Sequence, residues 1–257
     1  MVGKDLIMAT LLGSGGGSSG SGGGEGEKSP LDALIDRSIT EISSDAETVG
    51  DYAFYHCEKM TSAYFPNAAE VDDNAFEGCY ALTTASIPNA TRIGKHAFAY
   101  TKNVTTADFP LVTVLGAYAF YGSEGLKTAH IPLAKELLMY AFSGCARLET
   151  ADFSVPKAVN AWAFGNCYSL KALILRKETV VTLSSTNALG NCYHLLGTVN
   201  TTYNPDGLAD GYIYVPSALV DTYKAATNWS TYANQFRALE DYTVDGTITG
   251  ELDESKI

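Results

Sequence analysis

The sequence predicts a solenoid, a rod of short coils stacked along one axis, and three observations support this fold class. Phenylalanine recurs every 22 residues, and alanine precedes each copy. Apolar residues recur at fixed distances after each phenylalanine. An alternating stretch that ends in proline recurs at the same place in successive units. A period of roughly 20 to 50 residues is typical of repeat architectures, in which each coil packs only against its neighbours.

The repeated alanine–phenylalanine pair is the most regular element of each predicted coil. One coil alone cannot enclose its apolar side chains, so the stacked coils are expected to share a continuous core. Alanine is expected beside the phenylalanine because the neighbouring coil lies close, and the pair itself is predicted on a tight helical turn. The phenylalanines are Phe54, Phe76, Phe98, Phe120, Phe142 and Phe164, and Ala188-Leu189 is a looser seventh copy.

Each coil is also predicted to contain one short strand. In Ala85-x-Ile87-Pro88 the named apolar side chains point inward, and the residues on either side of Ala85 point outward, with the period of two that strands have. Proline lacks a backbone donor, so Pro88 is expected to mark the end of the strand. Gly94 and Gly116 are expected to supply a permissive backbone for a second turn.

Both ends of the solenoid are expected to carry caps, because an open end exposes apolar surface and unpaired strand edges. Ser29-Pro30, before LDALID, predicts a short cap helix with Ser29 as the N-cap. At the other end, residues 212–215 are predicted to form the last strand, and a helix is predicted from near Ser217. The side chains expected to seal the final coil are Trp229, Tyr232 and Phe236.

The coil pattern C-x-x-L-x-x-A-x-I-P…I-G-x-x-A-F resembles the BspA-like leucine-rich repeat, over about six in ten residues, from Ile39 to Leu195. The resemblance implies a leucine-rich-repeat solenoid: mainly β, with stacked 22-residue coils, short strands and short helical turns, capped at both ends. Such repeats occur in bacterial surface proteins, some protist proteins and phage structural proteins. This chain departs from the commonest leucine-rich pattern, because its asparagine position holds Ala68, Ala90, Val112 and Ala134.

These features divide the chain into five predicted segments. A docking peptide covers residues 1–12, and a flexible linker rich in glycine and serine covers 13–28. The leucine-rich-repeat solenoid with its N-terminal cap helix covers 29–197, the C-terminal cap covers 198–242, and a loose acidic tail covers 243–257.

The charge and the apolar content exclude some kinds of partner. The chain has 29 acidic residues against 17 lysines and arginines, a net charge of −12. Nucleic acids and anionic membranes are therefore not expected as partners, because both are bound largely through Lys and Arg. No apolar stretch reaches the roughly eighteen residues of a membrane-spanning helix, so no membrane insertion is expected. The apolar run from Leu6 to Leu12 is expected to be a poor secretory signal.

The cysteines share one position, three residues after the repeated phenylalanine or its substitute Leu189. A position that accepts Cys, Thr101 or Ser123 is expected to be a small buried slot with local hydrogen bonds, not a metal site. Free buried thiols are expected there, with a disulfide between neighbouring coils as the alternative. The cysteines are Cys57, Cys79, Cys145, Cys167 and Cys192.

No set of residues predicts catalysis. Asp108, His130 and Asp152 hold the same outward position on three successive strands, but nucleophilic catalysis would also need an activated Ser, Cys or Thr near the histidine. Thr128 faces the same way, and nothing in the sequence indicates that it is activated. The alternative is a row of cross-strand charges. The chain is predicted to be non-enzymatic, with no cofactor and no metal.

Two surface columns are candidate binding sites. Outward strand positions form a face that suits a glycan or a protein loop, although exposed threonine is also common in strands for its β-propensity. Two residues before the phenylalanines runs an aromatic stripe, and such residues either contact partners or pad the outside of the turns. The face comprises Tyr64, Thr84, Ser86, Thr106, Asp108, Thr128, His130, Thr150 and Asp152; the stripe comprises Tyr52, His96, Tyr118, Tyr140 and Trp162.

The N-terminal segment suggests a tethered protein. The run GSGGGSSGSGGGEG is a flexible linker, and we expect the short peptide before it to dock into other virion proteins. This layout resembles that of some phage virion proteins and favours a recognition protein on a virion exterior (tail, baseplate or other surface) that contacts a host protein or glycan. Attachment of that kind would imply a homo-oligomer. The alternative is a bacterial cell-surface or secreted adhesin. The predicted anchoring residues are Leu6, Ile7, Met8, Leu11 and Leu12.

Overall fold

The computed structural model describes residues 37–241 and the backbone of two short strands beyond them, 243–244 and 247–248. The predicted docking peptide, the linker and the N-terminal cap helix lie outside the described residues, as does most of the predicted acidic tail. The strands are β1 (Glu41–Ser43), β2 (Thr48–Val49), β3 (Ser62–Tyr64), β4 (Glu70–Val71), β5 (Thr84–Ser86), β6 (Arg92–Ile93), β7 (Thr106–Asp108), β8 (Val114–Leu115), β9 (Thr128–His130), β10 (Thr150–Phe153), β11 (Ala158–Val159), β12 (Ala172–Leu175), β13 (Thr182–Leu183), β14 (Tyr212–Val215), β15 (Phe236–Ala238), β16 (Thr243–Val244) and β17 (Thr247–Ile248).

Helical structure is confined to the C-terminal part of the described chain. Two short α-helices occur there, α1 (Tyr193–Leu196) and α2 (Val220–Ala225). The 3-10 helices cover Thr186–Leu189, Ser217–Leu219, Trp229–Gln235 and Leu239–Asp241.

The strands stack in parallel with a constant offset, as a solenoid requires. Along one side run a three-stranded sheet, β1-β3-β5, and a six-stranded sheet, β7-β9-β10-β12-β14-β15. A second side carries β2-β4-β6-β8 and, further along, β11-β13. Ala63 pairs with Ala85, and Ala107 with Ala129, 22 residues apart in each case. The predicted leucine-rich-repeat solenoid is confirmed.

The core is a continuous stack of the repeated phenylalanines. The six rings are stacked from Phe54 to Phe164 with centroids 5.1–5.4 Å apart, and each is at most 1% exposed. The N–H of each phenylalanine donates to the carbonyl of the residue that precedes the next ring, for example Phe76 to Ala97 at 2.8 Å. Only a small residue fits at that close approach, which explains the alanine before each ring.

Each Ala-Phe turn contains two left-handed residues. In the six regular coils the residue two before the phenylalanine has φ between 55° and 61°, and the residue two after it also has positive φ. Gly94 and Gly116 do not have positive φ, so they are not there to permit an unusual backbone. A Cβ on Gly116 would instead lie 2.4 Å from the carbonyl carbon of Gly94, so close stacking of coils requires these glycines.

The cysteine slot is buried and hydrogen-bonded, as predicted. All five thiols are free and buried. Cys145 donates its S–H to the carbonyl of Phe120 at 3.1 Å, one coil back, and Ser123 donates its hydroxyl to Phe98 at 2.7 Å. The slot therefore selects small side chains with one donor, and Cys, Ser and Thr all meet that requirement.

The last coil is closed by aromatic side chains that hydrogen-bond to its open backbone. The strand predicted at residues 212–215 is present, and Trp229, Tyr232 and Phe236 are each at most 2% exposed. The indole N–H of Trp229 donates to the Val181 carbonyl at 2.6 Å, and the Val181 N–H donates to the Tyr223 hydroxyl at 2.9 Å. The final coil is thus sealed against water with its backbone paired.

Candidate binding face

The outward positions of β3, β5, β7, β9 and β10 form one face, hereafter the strand face. Its first column is a ladder of hydroxyls, in which Thr84 pairs with Ser62, and Thr106 and Thr150 both pair with Thr128. The hydroxyl of Thr128 donates to that of Thr106 at 3.3 Å. The ladder presents evenly spaced donors and acceptors on a rigid support.

The second column of the strand face carries larger and charged side chains. Tyr64 is 48% exposed and pairs with Ser86, which is half-buried. Asp108 and His130 are exposed cross-strand partners, and Asp152 follows His130 in register. The structure therefore brings the predicted Asp108-His130-Asp152 row together.

Asp152 has a partner that the sequence analysis did not identify. The Arg176 guanidinium binds its carboxylate with two nitrogens, Nε and Nη2, each 2.9 Å from an oxygen. The signal was present in the sequence, because Arg176 follows β12 at the position where earlier coils carry proline. His130 Nδ1 lies 3.7 Å from the same carboxylate.

The pKa shifts in this row follow from these contacts. The contact with the Asp152 carboxylate raises the pKa of His130, against the opposing effect of its partial burial. Burial favours the neutral form of Asp152, but hydrogen bonds from His130 and Arg176 outweigh it and hold the pKa of that carboxyl below its usual value. Asp152 is thus a charged anchor for two cations, and its carboxylate is already engaged.

The aromatic stripe is a stack of rings on the outside of the turns. His96, Tyr118 and Tyr140 stack in order, with centroids 4.6 and 4.8 Å apart and planes within about 13°. Trp162 continues the stack, and a Cβ on Gly190 would lie 2.9 Å from its ring. Because the faces of these rings cover one another, the geometry supports the padding interpretation over an open aromatic platform.

The C-terminal end of the strand side is covered by the chain itself. Leu239 packs with Ala172 and Ile174 in a small cluster on this side, and Tyr214 packs against it. The Arg237 guanidinium lies over the Tyr212 ring, 4.2 Å from its centroid. The open part of the strand side therefore ends near β10.

A loop of residues 198–211 interrupts the repeat before the last strand and was not foreseen. Buried Asn204 donates to the carbonyls of Tyr193, Thr198 and Leu208. The two ring nitrogens of His194 contact the Asp210 carboxylate and the Tyr203 carbonyl. Only the excess over the 22-residue spacing signals this loop in the sequence.

Two searches of the described residues bear on other kinds of site. No helix within residues 37–241 is long and apolar enough to span a membrane. No group of three or more His, Cys, Asp or Glu side chains there is placed to hold a metal ion. The predicted anchoring residues, from Leu6 to Leu12, lie outside the described residues.

Comparison with known proteins follows the fold. A family model described as a BspA type leucine rich repeat region matches residues 36–149 and 91–204, with six copies. No curated protein gives a match.

Solved structures of bacterial repeat proteins resemble the chain at low identity. A leucine-rich repeat protein from Eubacterium ventriosum is 23% identical, with a TM-score of 0.50, over 60% of this chain and 43% of that one. One from Bacteroides ovatus is 20% identical, with a TM-score of 0.49, over 70% of this chain and 56% of that one. A leucine rich cell surface protein from Faecalibacterium prausnitzii is 18% identical, with a TM-score of 0.44, over 75% and 62%. The chain thus spans about half the length of the first two.

Proposed function

Because the chain belongs to the BspA-type leucine-rich-repeat family, we propose that it is a non-enzymatic binding protein that presents its strand face to a protein or glycan at a bacterial cell surface. The observation that carries this proposal is the exposed strand face, from Tyr64 to Asp152, on a rigid stack. The resemblance noted from the sequence implies surface proteins among the members of this family.

The physical character of the face supports binding. Its hydroxyls and charges are held on hydrogen-bonded strands, so a ligand need not order them on binding, and ordering is a major cost of association. The exposed Tyr64 ring can stack on a sugar or fill a shallow protein pocket, as tyrosines at binding sites do.

Catalysis has no support in the geometry of the row. The Asp152 carboxylate is already bound by Arg176, and the charged side chains act as cross-strand partners. We therefore keep the expectation of a protein without enzymatic activity or cofactor as part of the proposal.

The virion location rests on different residues. It depends on the docking peptide and the linker, residues 1–28, and the family match begins only at residue 36. The family match therefore supports the leucine-rich-repeat region alone, and the cell-surface alternative becomes the main proposal. Docking through the N-terminal peptide and homo-oligomer formation stay predictions.

The test uses the full chain and two matched charge changes. Thr106→Arg with Thr128→Arg places bulky cations on the strand face, while Val114→Arg, at a position 49% exposed on the second side, is the control. Labelled proteins are measured for binding to bacterial and host cells and to glycan and protein arrays. We expect the strand-face variant to lose binding and the control to keep it.

Two results would overturn the proposal. Equal binding by the strand-face variant would place the site elsewhere on the surface. Absence of binding by the unmodified chain to all these surfaces would favour a purely structural role.

A further inference from the structure

The ladder of the strand face is broken at one junction, between β5 and β7. At the other junctions of this side, the residue before each strand, or the first residue of the strand, donates to a carbonyl of the previous coil; Thr83 to Thr61 at 3.0 Å and Lys127 to Thr105 at 2.8 Å are examples. Among the described residues no such bond joins Thr105 or Thr106 to the coil before. The sheet accordingly divides there into its three-stranded and six-stranded parts.

The two strands are also separated in space. Most α-carbon pairs between β5 and β7 are more than 8 Å apart, whereas hydrogen-bonded strands lie about 4.8 Å apart. Ala85 is partly exposed at this place, although the equivalent Ala63 and Ala107 are at most 2% exposed. The phenylalanine stack continues past the break, with Phe98 and Phe120 at 5.3 Å, so the opening affects only the strand side.

Two facing strand edges with free backbone groups form a site for a third strand. The register of the flanking pairs leaves the N–H of Ile87 and the N–H of Thr106 directed at the opening. Unpaired strand edges bind extended peptides through main-chain hydrogen bonds. A peptide between two edges pairs on both sides, whereas a peptide at an outer edge pairs on one.

The side chains around the opening define the chemistry of the peptide. The inward position lies between Ala85 and Ala107, so it accepts only a small residue. The outward positions lie between Thr84 and Thr106 in one column and between Ser86 and Asp108 in the other. His130 contacts Asp152 and not Asp108, which leaves the Asp108 carboxylate, exposed at this edge, to attract a cation.

We propose that the opening between β5 and β7 binds an extended peptide segment of a partner protein, with a small residue facing inward and Lys or Arg facing outward beside Asp108. This inference rests on the proposed binding function and names one class of ligand for the strand face. The second side is interrupted one coil later, between β8 and the Leu137–Val159 bridge, but the strand face carries the exposed carboxylate that selects a partner.

The first experiment tests the opening without any ligand. Amide hydrogen exchange by NMR in the full chain should be at least about 10-fold faster at Ile87 and Thr106 than at Phe65 and Thr128, because hydrogen-bonded strand amides are protected. Phe65 donates to Ser86 at 3.0 Å, and Thr128 donates to Thr105 at 3.2 Å. Equal protection of all four amides would show a closed ladder and overturn the proposal.

The second experiment adds a probe peptide, Ac-LKTAKIP-NH2, which is the chain's own sequence 126–132 with lysine in place of histidine. We expect saturable binding with a Kd below about 1 mM and slower exchange at Ile87 and Thr106. The control peptide carries N-methyl groups on its threonine and alanine, so it cannot donate to either neighbouring strand, and it should not bind. Rapid exchange in the free chain with no protection by the probe would overturn the peptide assignment.

A substitution tests the charge preference. Asp108→Asn should weaken probe binding about two- to five-fold, the range expected for an exposed ion pair. Asp221→Asn, at a side chain 97% exposed on α2, is the matched control and should leave binding unchanged. Equal affinity for both variants would remove the basic residue from the proposal. The cell and array assays above do not depend on this probe, so failure here is distinguishable from failure of the proposed function.

Discussion

Replacing one ring of the phenylalanine stack tests the principle of the fold. Phe120 is 1% exposed and stacks on two ladder rings, Phe98 at 5.3 Å and Phe142 at 5.4 Å. Phe54, equally buried, stacks on only one ladder ring, Phe76 at 5.2 Å. Each also touches one further ring of its own coil, Phe109 or Phe65.

The magnitude follows from these contacts. Phe120→Ala should lower the free energy of unfolding by about 3–5 kcal/mol, the usual cost of truncating a buried phenylalanine. Phe54→Ala should cost about 0.5–1.5 kcal/mol less, because it loses one stacked ring pair fewer. Stability in a solenoid is close to a sum of coil and neighbour terms, so the difference should survive whichever coils unfold first.

The assay is urea unfolding of both variants and the parent, followed by circular dichroism and tryptophan fluorescence. A loss below about 1 kcal/mol for Phe120→Ala would contradict a continuous ring core, because no buried phenylalanine in close packing is so cheaply removed. An equal loss for both variants would contradict the neighbour term.

Three further predictions follow from the described contacts. Because the pKa of His130 is raised in the folded protein, its charged form should stabilise the fold below the ordinary histidine pKa, and that contribution should be lost as the pH rises through the raised value; urea midpoints of His130→Gln and the parent at about pH 5 and pH 8 check this, and identical pH dependence would refute it. Burial raises the pKa of the Cys145 thiol, so the native protein should react with a thiol reagent only on unfolding, and Cys145→Ser should change stability by less than about 1 kcal/mol because Ser123 holds the same slot; rapid labelling of the native chain would show an exposed thiolate. Trp229→Phe keeps an aromatic ring but removes the 2.6 Å bond to the Val181 carbonyl, so it should cost about 1–3 kcal/mol in urea or thermal unfolding; a neutral effect would mean that the carbonyl finds another donor.

The repeat made the architecture predictable, whereas the departures from it were not. Six copies of one pattern fix which side chains share a column, so the phenylalanine stack and the last strand could be assigned from spacing alone. Arg176 escaped notice because a long side chain reaches across to the neighbouring strand, and spacing does not show where its guanidinium lands.

The reason for the glycines was also misjudged. The sequence suggested that Gly116 permits an unusual φ, but only the approach of two coils in space shows that Gly94 leaves no room for a Cβ there. The break between β5 and β7 has no counterpart in the sequence, since Thr84-Ala85-Ser86 and Thr106-Ala107-Asp108 follow the same pattern.

The constant offset of the backbone bonds bears on how the gene can change length. Phe76 donates to Ala97, and Phe98 donates to Ala119, through bonds of the same length. Excising 22 residues between two such points would join surfaces that already fit, while a cut of any other size would misalign every later column. Duplication or loss of whole units therefore lengthens or shortens the molecule in steps of about 4.8 Å, and leaves the ends that close it untouched.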